Sequence, residues 1–469
     1  MIDQNVAFTT NTSSTSTADL RLKDPNRVNQ SGEASSTRSS RPSIPPVPTQ
    51  LAEDRHLIDY FVRTVVPPIL AEVETQKRWS SMRQMLISMS NASPMVRSAI
   101  LAFSNLLLHR QEAPWLAYPQ HHYEHASAEL IASGDLEAVT SHTVLREHLL
   151  ATLFFLSYVD ILEDRVKNAH VNLKRAYEIF QQGDKRGFRP VEIRLLSWIR
   201  LLDARAVSAG GEGLFLMDNA EHLIVQPSPA SVEEVDNEGG SGEVRESDIE
   251  DVLFQVLYHP GIVFFQKVQS FMGRISKIDP WHRSRGTVED ETEVMNIASK
   301  ILKDLKKLHD DRPALMDHAV AGRLTAPHVS GNLAFAITRA FRTYLSNYHA
   351  SKVHLHRVAY KHLPLTRETT DALNQIRHLT RLMVEGLDHE AALPVSQLWP
   401  LLMLGSEEKD LAEREWIKEQ ILRMEKVATN ARITAQVLEE VQARQDASGV
   451  RVDIRSVMHA IFDSCFAIM

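Results

Sequence analysis

The apolar residues of this chain recur at helical spacing along most of its length. From residue 51 onward Leu57, Ile58, Phe61, Val62, Val65 and Val66 repeat at intervals of one and four, which builds one stripe on a helix. Pro67-Pro68 ends or kinks that helix, because proline has no amide hydrogen and its ring crowds the preceding turn. Ser93-Pro94 reads as an N-cap and first helical position, and Val96, Ile100, Phe103 and Leu107 then share a face. Residues 145–162 are apolar nearly all round after their first turn, the mark of a helix buried inside a bundle. The next helix sets Ala169, Leu173, Ala176, Tyr177 and Phe180 on one side and stops at Gly183. Pro190 opens another, with Val191, Leu195, Trp198 and Leu202.

Between about 217 and 251 this pattern dissolves into Pro227, Pro229, Gly239-Gly240-Ser241-Gly242 and a run of acids that includes Glu233, Glu234, Asp236 and Glu238. Such a stretch predicts a flexible acidic insert. It lacks the aromatics that acidic activation segments interleave, so we read it as a solvated loop. Helices resume from about 250, with stripes at Leu333, Ile337, Phe341, Tyr344, Leu345 and Tyr348, and at Ala372, Ile376, Leu379 and Met383. No stretch alternates with period two between hairpin turns, and Ile224-Val225 and Ile262 to Phe265 are too short to build a sheet. The fold class expected is therefore all-α, a multi-helix domain in two halves. Residues 1–50 form a Ser/Thr/Pro-rich disordered tail, 51–216 the first half, 217–251 the insert and 252–469 the second half.

Composition narrows the function classes. The hydrophobic share of 43% and charged share of 24% are those of an ordinary globular chain. The formal net charge of −8 gives no overall field for polyanions, and the basic residues of the tail, Arg21, Lys23, Arg27, Arg38 and Arg41, are thinly spread. Cys465 is the one cysteine, so this chain can form neither an internal disulfide nor a cysteine-rich zinc site. It reads as a small buried hydrophobe. The N-terminus has no basic region leading into an apolar one, so no signal peptide is expected. The most apolar stretch, Leu149 to Leu162, falls short of the roughly 20 residues that a bilayer span needs. An intracellular chain, not inserted in a membrane, is the expectation.

Candidate chemistry is sparse. His121, Glu124 and His125 form a literal H-x-x-E-H pattern, which on a helix can offer two imidazoles to one zinc. With 21 histidines in the chain and no third ligand declaring itself, the polar face of a surface helix is the reading we adopt. His354 and His356, two apart on a helix, point in different directions and make poor co-ligands. Lys185, Arg186 and Arg189 around Gly187 read as a solvated interhelical loop. There is no phosphate loop, nucleophile elbow or dinucleotide fingerprint. No catalytic residue, metal ligand or cofactor is assigned, and the residues of any effector pocket stay open.

Several segments, in order, resemble one known family. Leu57 to Leu108 is similar to the opening of the fungal-specific transcription factor domain: an aromatic-bearing helix, a loop with a Trp, a short helix and a capped helix rich in Ala, Leu and Ser. Tyr123 to Leu130 resembles the family's Tyr-x-x-Ala-x-x-x-Leu helix, and residues 149–180 resemble its Leu-rich helix and the one that follows. Tyr348-His349-Ala350 with Leu355-His356-Arg357 is similar to a later element. Leu398-Trp399-Pro400-Leu401-Leu402-Met403-Leu404-Gly405 with Glu407 and Glu408 resembles the most specific one. The resemblance implies an all-helical, non-enzymatic regulatory domain of a nuclear transcriptional regulator, of the kind that controls metabolic or secondary-metabolite pathways. It also implies as partners the transcription machinery or a DNA-binding protein, a small-molecule effector, and a second copy of the chain. In the family a six-cysteine binuclear zinc cluster reads DNA. This chain cannot supply one, so direct DNA binding by it is doubtful, and contact would come from a partner or from a cluster encoded upstream of Met1. A helical scaffold without a transcriptional role is the alternative.

Overall fold

The computed structural model describes residues 48–64, 66–112, 120–133, 143–183, 187–217, 223, 246–327, 329–387 and 391–468. Among them there are sixteen α-helices, four short 3-10 turns and no strand. The first group comprises α1 (Pro48–Arg63), α2 (Gln76–Ala92), α3 (Pro94–Glu112), α4 (His121–Ala132), α5 (Thr143–Leu162), α6 (Val166–Gln182) and α7 (Pro190–Ala206). The second comprises α8 (Glu246–Ser276), α9 (Val288–Asp310), α10 (Ala314–Val320), α11 (Gly331–Ala359), α12 (Arg367–Glu385), α13 (Leu398–Gly405), α14 (Leu411–Arg423), α15 (Ala431–Ser448) and α16 (Ile454–Phe462). The all-α expectation holds, and two groups of helices flank residues 218–245. Residues Gln50–Met469 nevertheless form one compact unit around a single large apolar cluster that runs from Phe61 to Ile468. Among the described residues no helix is long and apolar enough to cross a membrane.

Two helices carry the interior. In α5 every residue from Leu149 to Leu162 is buried, as its unbroken apolar run requires, and it packs against α3, α4, α6 and α7. Its one acid in that run, Asp160, is satisfied by Arg165 at 3.0 Å and Asn172 at 2.9 Å. In the second group α11 is the axis and packs against α8, α9, α10, α12 and α13. Its predicted stripe is buried in full, as is that of α12. The Leu398–Gly405 element is a short helix with all eight residues buried.

What joins the groups is the loop between α1 and α2. Pro67-Pro68 stops the helix, and turns at Pro67 and Leu70 fold the loop inward so that Ile69, Leu70, Glu72 and Glu74 are all buried. The backbone carbonyl of Glu72 accepts the hydroxyls of Tyr258 on α8 (2.9 Å) and Tyr344 on α11 (2.5 Å). Its carboxylate accepts the Ser396 amide at 2.8 Å and the Ser396 hydroxyl, with the Arg205 guanidinium of α7 at 3.6 Å. Burial pushes this carboxyl up, and Arg205 and Ser396 pull it back in part. Glu74 meets Arg194 of α7 in a bidentate pair at 2.9 and 2.7 Å and accepts the indole N–H of Trp198 at 2.9 Å. One loop thus satisfies groups from both sets of helices.

Four details depart from the sequence reading. The first helix ends at Arg63, so Val66 lies beyond it, and Val62 is exposed rather than on the buried stripe; Val65 lies outside the described residues. Residues ahead of a proline disfavour helical backbone, and the freed Thr64 carbonyl is taken by the side chains of Trp79 and Arg83. Trp79 stands within α2, not in a loop, fully buried edge-on to Phe61. The tail (residues 1–47) and most of the acidic insert (218–222 and 224–245) lie outside the described residues, as do Lys185 and Arg186. The end of the insert differs from the reading, because residues from Glu246 onward are already helical, and Leu223 is buried in the core.

The loop gives a direct test. Glu72→Ala leaves Arg205 buried without its carboxylate, and stability in urea, followed by far-UV circular dichroism, is expected to fall by about 3–5 kcal/mol. A loss under about 1 kcal/mol, the scale of an exposed ion pair, would show that the loop is not what holds the interior.

Candidate functional site

The histidine pattern does not assemble. His125 bonds the Ser98 hydroxyl through Nδ1 at 3.0 Å and faces Glu129 at 4.0 Å. His122, which lies between His121 and His125 on α4, is buried against Asp54 at 3.4 Å. Burial, then the neighbouring His121 ring, push its imidazole down to about 4. Glu124 and His125 do lie exposed on that helix. His354 and His356 separate as expected, the first edge-on to Trp399, the second 3.1 Å from the Pro364 carbonyl. No group of three or more His, Cys, Asp or Glu residues converges among the described residues. Cys465 is buried, and burial pushes its thiol up to about 11, far from nucleophilic use.

A cavity of about 610 Å³ forms a groove between α8 and α9. That volume lies within the range of small-molecule sites. Its α8 wall presents His259, Val263, Phe264, Lys267, Phe271 and Arg274, a spacing of three, four and seven that keeps them on one face. The opposite wall is the end of α9, with Asp304, Lys307, Leu308 and Asp311, closed by Pro313. The α9 helix is oriented by its own ends. A capping box at Thr287 and Asp290 starts it, and Val294, Ala298, Ile301 and Leu305 bury its other face.

The α8 wall depends on a local irregularity. Pro260 has no N–H, so the Val256 carbonyl loses its helical donor. Gly261 follows where α8 crosses α11, and a Cβ there would meet the Phe341 ring at 2.0 Å. The missing side chain lets Tyr258 stack on Phe341, with ring centroids 6.1 Å apart and planes 4° apart. Tyr258 thereby reaches Glu72, while the next residue, His259, turns to the groove. Behind the groove Arg200 of α7 donates to the Gln266 carbonyl at 2.8 Å and the Ser270 hydroxyl at 2.6 Å, fixing α8 from the core side.

The groove's charges divide in two. Arg274 is paired with Asp304 at 2.6 Å. Lys267, half-buried in the wall, and Lys307 on the rim have no acidic partner among the described residues. The sequence reading left any effector pocket without residues. Pro260-Gly261 inside a long apolar run was the available signal, but its meaning requires Phe341, 80 positions further along the chain.

Near Arg200 lies a pH-sensitive group. Asp203 is buried, and burial pushes its carboxyl up to about 7 against the opposing Phe215 amide and Arg200. Between the unfolded value near 4 and about 7 the folded chain keeps a proton that the unfolded chain has lost. Stability therefore falls as pH rises through that window. Urea denaturation at about pH 5 and about pH 8 is expected to show this loss, and Asp203→Asn to flatten it. An unchanged slope in the variant would show that Asp203 is not its source.

Comparison with known proteins comes to one result. A family model described as the fungal specific transcription factor domain matches residues 56–466. No curated protein and no solved structure is found to match the chain. The match takes in α2 to α16, including the Glu72 loop, both walls of the groove and the Trp399-Pro400 element. With one cysteine in the chain and no metal-ligating cluster among the described residues, it does so without a zinc cluster. The family is a regulatory module rather than an enzyme, and the chain belongs to it: it is a fungal specific transcription factor domain protein.

Proposed function

We propose that this chain is a nuclear transcriptional regulator that controls a metabolic or secondary-metabolite pathway through regulatory contacts rather than through its own reading of DNA. The observation that carries the reading is the family match over residues 56–466. Its division of labour rests on the cysteine count: a binuclear zinc cluster needs several thiolates around each metal, and this chain holds one thiol, buried. The overall charge of −8 supports the same division, since affinity for DNA comes largely from cations that displace phosphate counterions. The DNA-contacting part is then a partner protein or a segment not in this chain. The helical body receives a signal, from a small molecule or a protein, and passes it to the transcription machinery. The groove between α8 and α9 is the feature best suited to receive one.

The chain fused to a heterologous DNA-binding module is expected to change expression of a reporter carrying that module's site, and a tagged copy to enter the nucleus. A silent fusion together with strict cytosolic residence would overturn the transcriptional reading. In gel-shift assays the purified chain is expected to show no sequence-specific complex. A specific, salt-sensitive complex would instead place a DNA reader within it.

A further inference from the structure

We propose that the groove between α8 and α9 binds an amphipathic monocarboxylate, its carboxylate between Lys267 and Lys307 and its apolar body along Phe264, Val263 and Pro260. This deepens the regulatory reading above and rests on it for its biological meaning, but not for its test. The floor holds the buried Phe264 and half-buried Val263, with Pro260 exposed at its far end, and such apolar surface rewards an apolar body in proportion to the area covered.

The orientation follows from where charge is left over. At the Arg274 end the guanidinium is already satisfied by Asp304 at 2.6 Å and lies over the Phe271 ring at 5.0 Å. At the His259 end the wall is uncharged: the imidazole is buried, its two nitrogens have no partner among the described residues, and burial and Arg78 together hold it neutral. Between these ends stand the two lysines without acidic partners. Asp311, the C-cap of α9, also lines the cavity without a basic partner among the described residues. Two ammonium groups and one carboxylate leave a single net positive charge in the unpaired part of the groove, which suits a monoanion and disfavours a dianion. From Lys267 to Pro260 is seven helical residues, roughly 10 Å of apolar wall. That length suits an aryl or medium acyl body. A phosphorylated metabolite, with two charges and little apolar surface, would match neither feature.

The probe is octanoic acid, whose acyl chain matches that length, titrated calorimetrically into the purified full chain beside its methyl ester. The acid is expected to bind at least about tenfold more tightly than the ester, the effect of one charge-assisted contact. Lys267→Glu and, separately, the rim variant Lys307→Glu are expected to reduce that preference. Val263→Trp, which fills the floor, is expected to abolish binding of both, with folding of each variant verified by circular dichroism. Lys307 lies at the surface, so its variant remains informative if the others fail to fold. Equal affinity for acid and ester, or binding unchanged by folded Lys307→Glu, overturns the proposal. Absence of probe binding beside an active reporter fusion would overturn the ligand alone, whereas binding beside a silent fusion and strict cytosolic residence would overturn the transcriptional role alone.

Discussion

Two buried carboxylates on one short loop, Glu72 and Glu74, set the terms for the rest of this structure. A carboxylate taken out of water is tolerated only when cations and hydrogen-bond donors surround it. The donors here come from α7, from the segment before α13 and, through the Glu72 carbonyl, from α8 and α11. Helices on both sides of residues 218–245 therefore share one polar centre, and neither group could close its interior alone without leaving that centre unpaired. This is why a chain longer than one core usually organises forms one compact unit. Apolar burial supplies most of the stabilisation, but it is non-directional. The requirement that these two acids be satisfied is what fixes which helices meet.

The same centre bears on the groove. Tyr258 and His259 are consecutive on α8, yet one reaches into the Glu72 centre and the other lines the cavity. Arg200 holds the same helix from behind through Gln266 and Ser270. A molecule in the groove thus presses on a helix that is tied to both helical groups at once. Binding can shift such a helix only by the difference in affinity between its two positions. Pro260 costs α8 one internal hydrogen bond, so the turn around it is the one least held by the helix's own ladder.

How much of this was legible in the sequence follows from the range of each interaction. Helix identity is local, and Ser93-Pro94, Gly183 and Pro190 mark their boundaries at the positions the structure shows. The stripes of α11 and α12 are equally local and are buried residue for residue. The Glu72 centre was not legible, because nothing near Glu72 names Ser396 as its partner 324 residues on. The burial of His122 was out of reach for a related reason: it faces Asp54 of α1, which the pattern of its own helix does not reveal. The first helix was read too long because the apolar residues continue to Val66, while the prolines that stop it act on backbone geometry before they are reached. The groove combines both cases, with its punctuation at 260 and 261 plain in the sequence and its cause, the Phe341 ring, far away.

Electrostatics at two scales bring the fold and the function together. Over distances beyond a Debye length, roughly 8–10 Å in physiological salt, a chain with a net charge of −8 repels the continuous charge of a nucleic acid. At the groove the half-buried Lys267 and the rim Lys307 act at contact range, well inside that length, and one carboxylate is enough to meet them. A small anion can use that local charge, whereas a polyanion must also meet the chain's overall negative charge. Under the proposed binding, recognition of a small anion by the helical body would be separate from recognition of DNA.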